Sequence, residues 1–109
     1  TEDGRREFSM YETRQKLLNP KKVWRGKWHL LVFDIPEERK NVRHQVRRTL
    51  AGLGFYRLQD SVWVYPHECE DVLELLRTKY KIRHEALYIR AEKIAKDKWL
   101  RQHFGLLSI

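Results

Sequence analysis

The sequence predicts an α+β domain: a four-stranded antiparallel sheet with two helices on one face, preceded by a helical arm. Three observations carry that expectation. Apolar residues change between strand-like runs and helical spacing in the order strand, helix, strand, strand, helix, strand. The prolines and glycines fall at the ends of those segments, where turns and caps need them. The composition can also fill a core: 41% of the 109 residues are hydrophobic and four are Trp, so a charged fraction of 35% does not read as disorder.

Residues 5–18 are polar with Phe8, Tyr11 and Leu18 on one helical face, which predicts a short exposed helix that Asn19 and Pro20 end. Lys21 to Lys27 form a basic connector. The boundary near Trp24 separates an arm over 1–23 from a folded domain over 24–109. Trp28 to Ile35 is apolar on both faces and is placed centrally in the sheet. Pro36 then opens a helix with Glu37 and Glu38 in its first turn, where the dipole favours acids. Val42, Val46, Leu50 and Leu53 make one apolar stripe along Glu38 to Leu53, and Gly52 and Gly54 stop it.

Phe55 to Gln59 and Ser61 to Tyr65 read as short strands meeting at Gln59-Asp60, and Pro66 closes the second. Glu68, Glu70 and Asp71 open a second helix whose buried face holds Cys69, Val72, Leu73, Leu76 and Tyr80. Ala86 to Ala91 is the last strand, with Leu87 and Ile89 on one face and Tyr88 and Arg90 on the other. Lys96 to Phe104 has room for a terminal helical turn or two. This order is the split βαβ, ferredoxin-like βαββαβ plan. Its second sheet face would carry large apolar side chains, too many to leave in water, and a homodimer is expected to cover them.

Lys and Arg total 23 against 15 Asp and Glu, a net charge of +8, and the sequence pI is near 9.8. That basicity is the first footprint of a nucleic-acid partner. The excess lies mostly outside residues 28–95, which are nearly balanced. No apolar run reaches the roughly 18 residues of a membrane span, so no membrane partner is expected. The single cysteine, Cys69, excludes an intramolecular disulfide and a multi-cysteine zinc site, and points to the cytoplasm. The five His have no metal-ligand spacing, and no glycine-rich phosphate loop is present.

Two groups of residues carry candidate chemistry. Arg39, Arg43 and Arg47 recur every four residues, with Lys40 and Arg48 alongside, on a helix that has one acid. Nothing at i±4 neutralises the row, and phosphates are its natural counter-charge, so these five residues are the candidate nucleic-acid contacts. Asp34 ends the first strand. Its structural reading is an acceptor for backbone N–H groups at the start of the following helix.

Several short motifs in order then resemble known families. Val32-Phe33-Asp34-Ile35, the Arg-rich helix, Leu53-Gly54-Phe55 and Gln59-Asp60-Ser61-Val62-Trp63-Val64 resemble the second CRISPR-associated protein, the small partner of the spacer integrase. Trp24-x-Gly26-Lys27-Trp28, Phe33-Asp34-Ile35-Pro36-Glu37 and Ser61-Val62-Trp63-Val64-Tyr65-Pro66 are closer to the related domain of the phenylacetate-degradation repressor (PaaX) family. The resemblance spans residues 24–104. Thr1-Glu2-Asp3-Gly4-Arg5-Arg6 also looks like the stretch that ends a winged-helix domain in such repressors.

The repressor resemblance implies a dimerising domain of a transcription regulator, associated with nucleic acid, DNA rather than RNA, and without a cofactor. It is placed first, and it carries no catalysis. The CRISPR resemblance implies the alternative, an adaptation protein with an integrase partner or a magnesium-dependent phosphodiester endonuclease. There Asp34 would be the catalytic residue and metal ligand, with two copies facing each other across a dimer axis.

Overall fold

Trp28 to Phe33 is strand β1, buried along most of its length with side chains on both faces. The computed structural model describes residues 23–106, so the expected helix over 5–18 and the winged-helix resemblance of residues 1–6 lie outside the described residues. After β1 come a 3-10 turn at Glu37–Arg39, helix α1 (Lys40–Gly52), strands β2 (Tyr56–Gln59) and β3 (Val62–Tyr65), helix α2 (Glu70–Tyr80), strand β4 (Ala86–Ala91) and helix α3 (Lys98–His103). The sheet order is β2-β3-β1-β4 with antiparallel pairing throughout. This is the ferredoxin-like arrangement the sequence predicts, with β1 at the centre.

Several boundaries differ from expectation by one or two residues, and two of them shape the Asp34 region. β1 ends at Phe33 rather than Ile35, because the chain must leave the ladder ahead of Pro36, which has no N–H to donate. The helix after it begins at Lys40 rather than Glu38, because Pro36, with φ −64° and ψ 157°, leads first into the 3-10 turn. Gly54 turns the chain out of α1 at φ +96°, a conformation that favours glycine.

Side chains on one sheet face meet α1 and α2. Leu31, Phe33, Trp63, Tyr65 and Ala86 from the strands pack with Val46 and Leu50 of α1 and with Val72, Leu73, Leu76 and Tyr80 of α2. Cys69 is buried in this core, as its place on the helical stripe predicts.

The second face does not wait for a partner over its whole extent. α3 folds back across it, and Trp28, Val64 and Leu100 are fully buried there beside Trp24. The Trp28 ring lies 5.0 Å from Trp24 and 5.9 Å from Phe104 between centroids. Its indole N–H donates to the Asp97 carboxylate at 2.9 Å, so the one polar atom of a buried ring is satisfied. The terminal turn or two read at Lys96 to Phe104 is therefore a covering element. Cover reaches Ala91 but leaves the middle of β4 open: Leu87 and Ile89 are 59% and 42% exposed, opposite Val32 and Leu30 in register.

Leu100 is the only buried residue of α3. Leu100→Ala should destabilise the domain by about 2–5 kcal/mol through lost transfer energy and a residual cavity. Urea unfolding measures this, and tryptophan emission should shift to the red as α3 loosens over Trp28. A change below about 0.5 kcal/mol would mean that α3 does not hold this face.

Candidate nucleic-acid interface

The cations of α1 are less free than their spacing implies. The Arg39 guanidinium donates to the carbonyls of Tyr80 and Lys81 at the end of α2 and stands 3.9 Å from Glu85. Arg43 pairs with Glu37 at 3.1 Å, and Arg47 reaches the Asp60 carbonyl at 3.5 Å. The row is thus compensated from outside the i±4 window, by groups that a single-helix reading cannot see. Lys40 and Arg48 are exposed, and their side chains have no partner among the described residues. α1 itself carries Lys40, Arg43, Arg47 and Arg48 and no acid, so it keeps a positive surface.

Arg43 and Arg47 also border a cleft of about 240 Å³ with Asp34, Asp60 and Ser61, floored by Phe33, Ile35, Val46 and Trp63. Asp34 is exposed at its edge. Its backbone N–H donates to the Glu85 carbonyl at 2.7 Å, but its carboxylate has no partner among the described residues. Neither the 3-10 turn nor α1 has a side-chain cap, so the expected capping role of Asp34 is not realised. Pro36 occupies the capping position and puts Asp34 two residues too early.

The donors of one chain do not fit a magnesium ion. The Asp60 carboxylate is paired with Arg57 at 3.1 Å, and two guanidinium groups share the cleft with Asp34. A divalent cation prefers several oxygen ligands and is repelled by such neighbours. No group of three or more His, Cys, Asp or Glu among the described residues is placed to hold a metal.

Several titratable groups elsewhere serve the scaffold. Glu85 is held below the usual carboxylate range, chiefly because the Arg83 backbone N–H donates to it, at 2.8 Å. His29 is buried within β1, and its Nδ1 lies 2.6 Å from the Tyr88 hydroxyl, which also accepts from the Cys69 N–H at 3.3 Å. Burial pushes the Tyr88 hydroxyl up. Arg90 bridges Glu70 at 3.1 Å and Glu68 at 3.6 Å, and the hydrogen bond to Glu70 raises its pKa further. Histidine spacing alone does not distinguish His29 from the other four. Its position inside the most apolar strand is the signal that it is buried.

Residues 21–102 match the family model described as the PaaX protein central Cas2-like domain. The chain belongs to that family. The match runs from the connector ahead of β1 into α3, so it covers the whole sheet and both core helices. It bears out the resemblance carried by the motifs between Trp24 and Pro66. No curated protein and no solved structure matches the chain. Among the described residues, no helix of this PaaX central domain is long and apolar enough to cross a membrane.

With its carboxylate exposed and uncommitted, Asp34→Asn should change stability by no more than about 0.5 kcal/mol. Titration of magnesium or manganese against labelled RNA and duplex DNA should give no cleavage above background with the parent chain. Metal-dependent cleavage that disappears in Asp34→Asn would instead require a metal site completed by a second copy, and would restore the endonuclease reading.

Proposed function

We propose that this PaaX central domain is the dimerising, nucleic-acid-associated part of a repressor-like transcription regulator acting on DNA in the cytoplasm. Membership of the PaaX family is the observation that carries the reading. The positive surface of α1 supports it, because Arg39, Lys40, Arg43, Arg47 and Arg48 fall on one short helix and its leading turn. In this reading Lys40 and Arg48 are the uncommitted contacts. Arg43 and Arg47 contribute from ion pairs and hydrogen bonds that a phosphate can share. Arg39 contributes mainly by holding the end of α2. Association of this kind is driven by counterion release and reads DNA sequence weakly.

The dimer is proposed on the part of the sheet that α3 leaves open. Val32, Val62, Leu87 and Ile89 share that face, and β4 is an outer strand of the sheet. A second copy laid against it would remove two exposed large apolar side chains from water at once in each chain.

Two measurements test the reading. Replacing Lys40, Arg47 and Arg48 together by Gln should flatten the slope of log affinity against log salt for duplex DNA by about 2–3, near 0.9 for each phosphate no longer neutralised. A slope equal to the parent's would remove α1 from the interface. Sedimentation at micromolar concentration should show two chains per particle, and Leu87→Glu with Ile89→Glu should give one. A parent that sediments as a monomer would remove the dimer.

A further inference from the structure

The end of α2 carries a second basic surface that the reading of α1 does not use. An open groove of about 800 Å³ is lined by Arg77, Thr78, Lys81, Ile82, Arg83 and His84. Arg77 is paired with Glu74 at 3.1 Å, and His84, almost wholly exposed, lies 4.0 Å from Glu85. Lys81 and Arg83 differ. Both are exposed, and neither side chain has a partner among the described residues. Arg83 is bonded through its backbone alone: its N–H donates to Glu85, a carboxylate already shared with Arg39, and its carbonyl accepts from the Ala86 N–H at 3.3 Å.

Lys81 also sits where a lysine is structurally unfavourable. It follows the last residue of α2 with φ 54° and ψ 45°, the left-handed position that glycine or asparagine usually fills. The conformation carries a backbone cost that glycine would not, so the side chain can be removed there without penalty to the fold. A helix C-terminus ordinarily repels anions, because its free carbonyls carry the negative end of the dipole. Here Arg39 donates to the carbonyls of both Tyr80 and Lys81, so that end is screened by a cation from the turn ahead of α1.

The chemistry of the groove selects its partner class. Protein interfaces bury an apolar centre with aromatic anchors, and small-molecule sites are mostly apolar and concave. The apolar residue lining this groove, Ile82, is fully buried and offers no anchor. Exposed cations without an anchor suit a phosphate backbone, which is bound by charge and hydrogen bonds without an apolar centre.

We propose that the groove between the end of α2 and the start of β4 is a second nucleic-acid-backbone contact, in which Lys81 and Arg83 each meet a phosphate. The inference rests on the nucleic-acid reading above and extends it to a surface outside α1.

The test is binding of labelled duplex DNA by the full chain across a salt series, for the parent, Lys81→Gly, and Lys81→Gly with Arg83→Gln. Glycine suits the left-handed position, so Lys81→Gly should melt at or above the parent temperature while binding more weakly. That combination separates weaker phosphate binding from impaired folding. The double variant should reduce the magnitude of the slope of log affinity against log salt by about 2, two phosphates at near 0.9 each. If the parent binds and the double variant keeps its affinity and slope, the groove does not touch DNA, and the α1 reading stands untouched. A parent that binds no duplex overturns both. If polyglutamate displaces DNA from the parent at matched charge but not from the double variant, the groove serves an acidic protein segment and the proposal fails.

Discussion

β1 is apolar on both faces, and the domain is organised around covering it twice. A strand of this kind cannot lie at an edge or against water, so it must be central and must have material above and below. α1 and α2 cover one side, through Leu31 and Phe33. The other side is covered where Trp28 lies, by Trp24, Leu100 and Phe104, and less completely toward Val32. Burial of Trp28 requires a partner for its N–H, and Asp97 at the start of α3 provides one. That contact joins the apolar packing of Leu100 and Phe104 in holding the last helix over Trp28.

Arg39 ties the beginning of the α1 segment to the end of α2 and to Glu85, just ahead of β4. The two core helices are adjacent on the sheet, so a cation at the entry of one reaches the carbonyls at the exit of the other. This arrangement decides which charges on the basic surface are structural. Arg39 is held by the fold, whereas the side chains of Lys40, Arg48, Lys81 and Arg83 are exposed without partners among the described residues. Net charge alone cannot make that distinction.

The order of elements is legible in the sequence because each has a strong local signature. β4 has the bounds its pattern predicts, Ala86 to Ala91, since Leu87 and Ile89 alternate with Tyr88 and Arg90. The stripes through Val46 and Leu50 in α1 and through Val72 and Leu76 in α2 are legible for the same reason. The candidate site is legible only as a set of residue types. Asp34 reads as a cap because it precedes a helix, but cap geometry depends on the backbone angle at Pro36, which moves the helix start to Lys40. The Arg row reads as uncompensated because sequence spacing counts only neighbours on the same helix. Its partners are Glu37 in the preceding turn, Glu85, the α2 terminus and the β2–β3 turn.

By itself the sequence determined the α+β class, the βαββαβ order, the central place of β1, the two core-facing helical stripes and the family to which the motifs between Trp24 and Pro66 belong. These follow from periodicity and turn chemistry, which act over a few residues. Only the tertiary structure decided that α3 covers part of the second sheet face, that the Asp34 carboxylate caps nothing, and that Arg39 is consumed at the end of α2 while Lys81 and Arg83 are not. Each of those outcomes depends on which groups from distant segments meet. Pairing a charge or burying a ring is a property of that meeting, and local pattern does not contain it.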